Sequence, residues 1–72
     1  MNEPYERLAN AIVLRAVKDY RDALKRLKKH PKNGSASYTK REVERFFRSG
    51  WYTTLTTIDS EMLIQQLREE VI

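Results

Sequence analysis

A chain of 72 residues, one third of them charged, with a formal net charge of +4 and no Cys, forms one domain at most. No disulfide framework is possible without Cys, a single His leaves no ligand cluster for a metal, and no apolar run approaches the ~18–20 residues that cross a bilayer. Such a short chain buries a thin core and must rely on well-packed helices, on self-association, or on both.

The charge is unevenly placed. Residues 1–14 carry −1, residues 15–32 carry +6, residues 33–52 carry +2 and residues 53–72 carry −3. The opening Met1-Asn2-Glu3-Pro4 is acidic and polar, unlike a signal peptide, and a Cys-free chain suits a reducing compartment. A cytoplasmic protein without membrane contact is expected. Only four residues are Gly or Pro, which favours helices over sheets or disorder.

The first predicted helix spans about 4–29. Asn2 or Glu3 can cap it, and Pro4 falls in the first turn, where its missing N–H is harmless. Apolar residues then recur at helical spacing from Tyr5 through Leu8, Ile12, Val17 and Leu24. Within this arc runs a tighter 4-3-4-3-4 seam of Ala9, Val13, Ala16, Tyr20, Ala23 and Leu27, whose alanines allow a partner helix to approach closely. Lys28-Lys29-His30-Pro31 closes the helix with cations and a proline. Residues 31–38 read as a loop, with Asn33-Gly34 as its turn signal. A second helix over 39–49 starts at the capping box Thr39-Lys40-Arg41-Glu42, presents Val43, Phe46 and Phe47, and stops at Gly50 in the left-handed conformation. The stretch 51–57 has strand-like composition but no second strand to pair with, so a short helical turn or connector is expected. A third helix over 58–71, capped by Thr57 or Asp59, buries Ile58, Met62, Leu63, Leu67 and Val71.

These elements predict an all-α fold, a single domain over residues 1–72, with one long amino-terminal helix against two shorter ones and an aromatic knot (Phe46, Phe47, Trp51, Tyr52) at the bend. Two short helices cover only part of the first helix's wide apolar arc, so a homodimer through that helix is a further expectation.

The chemistry-bearing residues are few. His30 stands at a helix end beside Lys and Pro, where an imidazole complements the helix dipole and has no nucleophile or carboxylate aimed at it. Asp19 and Asp22 sit at ion-pair spacing from Arg15, Lys18 and Arg26, and Glu69 and Glu70 end a helix. No glycine-rich phosphate loop, zinc-protease or Cys-pair motif occurs. A non-enzymatic protein without metal or cofactor is expected. The aromatic group could be a base-stacking platform, but in so small a chain these rings are wanted for the core, with Tyr38 and Tyr52 the more exposed members.

The clearest functional signal is a basic stripe on the polar side of the first helix, continued into the second. Arg15, Lys18, Arg21, Lys25, Lys28, Lys29, Lys40 and Arg41 are its candidate contacts to nucleic acid or an acidic partner. The alternative is an ordinary solvated face, since Asp19 and Asp22 interrupt it. A helix-turn-helix is disfavoured because the loop after the first helix reads as too long and the last helix is net acidic. An Ala-rich apolar arc suits protein packing better than a membrane surface.

The stretches Tyr5–Arg21 (YERLANAIVLRAVKDYR) and Glu44–Tyr52 (ERFFRSGWY), with Leu55-Thr56 and Asp59–Ile64 (DSEMLI), resemble a group of small helical proteins encoded by prophages and integrative elements of Firmicutes. The resemblance covers nearly the whole chain. It implies a mobile-element context and an accessory role, and brings no activity or functional residue with it. The reading is therefore a non-catalytic accessory protein that modulates a host or phage enzyme through protein contacts. Its alternative is a nucleic-acid-associated protein holding phosphates on the basic helix face.

Overall fold

Helical periodicity in the first third of the chain becomes a single helix of 27 residues, α1 (Glu3–Lys29), about 40 Å long. The computed structural model describes the backbone of residues 3–71 and the side chains of residues 7–71. Within them follow α2 (Gly34–Phe47), α3 (Gly50–Leu55) and α4 (Ser60–Glu70), with no strand. The expected cap at Asn2 lies outside the described residues, as do the side chains of Tyr5 and Glu6. The seam lies on the buried face of α1, with Val13, Tyr20 and Ala23 buried and Ala9, Ala16 and Leu27 half-buried; Val17, buried, and Leu24, half-buried, widen that face.

The chain reverses over residues 30–33, where the Asn33 N–H donates to the His30 carbonyl at 2.9 Å. This short reversal lays α2 antiparallel along α1, bringing Phe47 and Glu44 to Tyr20. Ala36, fully buried, is the small residue on α2 that permits a close approach. α3 turns the chain, and α4 returns along α1, so that Glu70 meets Arg21 and the Val71 carbonyl meets Lys28. The core is Val13, Val17, Tyr20, Phe47, Tyr52, Ile64 and Leu67. Its rings meet edge-on, Tyr20 with Phe47 at 5.7 Å and Phe47 with Tyr52 at 5.6 Å between centroids, the arrangement that aromatic quadrupoles favour.

Four expectations require correction. The fold has four helices rather than three, because the connector after α2 closes into α3: the Ser49 side chain accepts from the Tyr52 N–H at 3.4 Å and donates to the Phe46 carbonyl at 2.6 Å. Gly50 opens that helix with no positive φ, instead of stopping the previous one. The second helix begins five residues before Thr39. Asn33 caps it by accepting from the Ala36 N–H at 3.1 Å, and nothing in Ser35-Ala36-Ser37-Tyr38 breaks a helix, so Asn33-Gly34 starts an element rather than a loop. The reversal over 30–33 is accordingly short; antiparallel packing of α2 on α1, not loop length, departs from a helix-turn-helix crossing.

The inward faces of α3 and α4 also differ. Trp51 is 73% exposed and Tyr52 only 1%, the reverse of the expected order, because the restart at Ser49 rotates Trp51 outward. In α4, capped by Asp59 through the Glu61 and Met62 N–H groups, the buried side is Ile64 and Leu67 with Leu63 and Val71 half-buried. Met62 lies on the opposite side, and Ile58 precedes the helix in an exposed turn.

Candidate interaction surface

The most connected polar feature is a cluster the sequence did not single out. Glu44, buried on the inner side of α2, gathers three donors on one carboxylate oxygen. Tyr20 Oη donates at 2.6 Å, Arg68 Nη2 at 2.6 Å and Lys40 Nζ at 2.9 Å. Arg68 Nε also donates to Tyr20 Oη at 3.1 Å. Helices α1, α2 and α4 are thereby tied at one point. Burial alone would raise the Glu44 carboxyl, but the hydrogen bonds from Tyr20, Arg68 and Lys40 outweigh it and hold the group at about 2. Burial, reinforced by the Glu44 hydrogen bond, pushes Tyr20 up to about 12. The hydrogen bond to Glu44 likewise raises Arg68. The cluster acts as a structural tie.

Placed on the structure, the candidate cations separate into two groups. Arg15 pairs with Asp19 one turn on, at 3.3 Å. Arg21 holds Glu70 through two hydrogen bonds, of 2.9 and 3.2 Å. Lys28 donates to the Val71 carbonyl at 3.0 Å, and Lys40 turns inward to Glu44. Arg21 and Lys28 thus join α1 to the end of the chain, Lys40 joins the Glu44 cluster, and the Arg15 pair stays within α1. Lys18, Lys25, Lys29 and Arg41 are exposed. Lys18, Lys25 and Lys29 recur at intervals of seven and four on the side of α1 away from the core. Arg41 stands on the outward side of α2. Because the core lies between α1 and α2, these two outward sides face away from each other, and the basic stripe does not converge on one surface. His30 is exposed, and the described residues contain no group of three or more His, Cys, Asp or Glu placed to hold a metal. No described helix is long and apolar enough to cross a membrane.

The apolar surface is more focused. Leu8 is 58% exposed and Ile12 40% exposed. Ala9, on the adjoining side of α1, is half-buried, so Leu8 and Ile12 form the margin of the face that the other helices cover. Beside it Ile12 and Ala16 of α1 meet Val43 and Phe46 of α2 in a shallow groove of about 230 Å³. Arg15, Asp19 and Glu42 stand around it. On a wheel of ~100° per residue, Leu8, Ile12 and Ala16 form one continuous strip. Periodicity alone located these apolar residues but could not tell covered from uncovered positions on one helix face. Leu14, on another side of α1, and Trp51, Ile58, Met62 and Tyr38, elsewhere in the chain, are further exposed large side chains.

Comparison of the chain with protein-family models, with curated proteins and with solved structures finds no match.

Proposed function

We propose that this protein is a non-catalytic protein-interaction module whose docking face is the uncovered strip of α1 and the groove beside it. The observation that carries the reading is the exposure of Leu8 and Ile12 in continuity with the Ile12–Ala16–Val43–Phe46 groove. Exposed apolar surface of this kind, ringed by charged residues, marks protein contacts. The accessory role implied by the mobile-element resemblance fits such a module, with an enzyme of the host or the element as the proposed target.

The test is partner capture by the intact protein and by two variants. Leu8→Glu with Ile12→Glu should abolish capture of a protein target, while Lys18→Glu, Lys25→Glu and Lys29→Glu together should leave most of it. The three free lysines on the back of α1 favour a second reading, contact with phosphates of a nucleic acid. That reading predicts the reverse pattern, with a duplex or single strand shifted at low salt, binding that falls steeply as salt rises, and loss in the lysine variant.

A further inference from the structure

We infer that Asn33–Gly34 is a site of spontaneous deamidation, gated by opening of the first turn of α2, so that the cap of this helix also guards a chemical modification. Asn33 has a structural role as the cap. Gly34 has none that needs a glycine: its φ is not positive, and a Cβ there would meet nothing within 4 Å. What the glycine does provide is an unhindered backbone nitrogen next to a side-chain amide. Gly34 is exposed and Asn33 half-buried. The Gly34 N–H is one of the first four of α2, which have no acceptor within the helix.

In the reaction the Gly34 nitrogen attacks Asn33 Cγ. The new N–C bond closes a five-membered imide, the N–H proton passes to water, and the Cγ–Nδ2 bond breaks to release ammonia. One water then opens the imide. Addition at Cγ gives aspartate; addition at the main-chain carbonyl carbon gives isoaspartate, whose main chain runs through Cγ. The folded geometry withholds the first step. Ring closure needs Asn33 Cβ and Gly34 N eclipsed about the Asn33 Cα–C bond, whereas a ψ of 105° turns them nearly to opposite sides. Three hydrogen bonds hold that angle: the Asn33 N–H donates to the His30 carbonyl at 2.9 Å, the Ser37 N–H donates to the Asn33 carbonyl at 3.0 Å, and the Ala36 N–H donates to Asn33 Oδ1 at 3.1 Å. Ala36 is fully buried, which resists their release. Attack therefore waits on local opening of this turn, a smaller event than global unfolding. The two products then diverge. Aspartate keeps an oxygen where the cap needs one, and its charge suits a helix amino terminus. Isoaspartate adds a methylene to the main chain and takes the capping carbonyl into it, so the Ala36 N–H loses its acceptor and α2 is loosened from α1.

Peptide mapping by mass spectrometry, on the whole chain incubated at neutral pH either folded or in urea, tests this. Trypsin cuts after Lys32 and Lys40 and isolates residues 33–40. This peptide should become one mass unit heavier at least ~10-fold faster in urea than in the folded protein, as expected for a reaction gated by opening. Gly34→Ala should slow the change in urea at least ~10-fold and leave helical circular dichroism intact. Asn33→Asp should melt with the unmodified protein, and the isoaspartate form, separated by chromatography, should melt lower. Equal rates folded and in urea would remove the gate. No mass change at residues 33–40 in urea, or a rate indifferent to Gly34→Ala, would remove the site. An isoaspartate form as stable as Asn33→Asp would overturn the divergence of the products.

Discussion

Neighbouring aromatic residues in this protein have opposite roles. Phe47 is fully buried and Trp51 is 73% exposed. Phe47→Ala should cost about 3–5 kcal/mol, a large part of what a chain of this length has, whereas Trp51→Ala should change stability by less than about 0.5 kcal/mol. Chemical denaturation of the two variants checks the contrast. The buried tyrosines differ in the same way. Tyr20 donates to Glu44 and accepts from Arg68, while the Tyr52 hydroxyl is buried without a partner. Tyr20→Phe removes a hydrogen-bonded group from a charged cluster and should cost about 1–3 kcal/mol. Tyr52→Phe removes an orphan and should be neutral, or stabilising by up to about 1 kcal/mol. A thermal melt distinguishes the two.

The same cluster sets a pH dependence of known sign. The Tyr20 phenol is raised from 10.0 to about 12 in the folded protein, so the fold favours the protonated form. Its contribution is complete below pH 10 and is lost as pH climbs from 10 toward 12. Glu44 is lowered from 4.5 to about 2; its contribution is present above pH 4.5 and is lost as pH falls toward 2. Stability measured against pH should decline at both ends. The alkaline decline should be shallower in Tyr20→Phe, and the acid decline shallower in Glu44→Gln.

Among the elements, legibility followed the strength of the local signal. The long helix was readable almost residue by residue because its periodicity persists for seven turns and a proline follows its end. The later boundaries were not. Thr39-Lys40-Arg41-Glu42 has the composition of a capping box, yet Asn33 offers an equally good cap earlier, and burying Ala36 against α1 favours the longer helix. The rotation that hides Tyr52 and exposes Trp51 depends on the restart at Ser49, a one-residue phase change that composition does not reveal. Glu44 was unreadable for another reason. A carboxylate between Val43 and Arg45 reads as solvated, and only the arrival of Tyr20 and Arg68 from distant parts of the chain makes it a buried acceptor. The candidate site was legible as a set of residue types. The Arg15–Asp19 pair was readable from spacing, but the division of the rest into engaged cations (Arg21, Lys28, Lys40) and free ones (Lys18, Lys25, Lys29, Arg41) required the positions of Glu70, Val71 and Glu44.

The whole molecule is a slender body, 44 Å long and about 20 Å in its other dimensions, and its length is essentially that of α1. Three short helices suffice to cover the carboxyl-terminal two thirds of α1, and the Glu44 cluster, the Arg21–Glu70 pair and the Lys28–Val71 contact anchor that part. Toward the amino terminus Leu8 and Ile12, beside the seam, stay exposed. This asymmetry makes one end of the molecule a stable platform and the other an available face, and the proposed docking role depends on it.

Residue-resolved hydrogen exchange along α1, at a concentration of a few tens of micromolar, tests that asymmetry most directly. Amides from Ala16 to Leu27 should exchange at rates near those of global unfolding, and amides from Leu8 to Ile12 at least ~100-fold faster, as expected for a helix end with few buried contacts. Equal protection along the whole helix, or fast exchange between Ala16 and Leu27, would contradict the division of α1 into an anchored part and an open one.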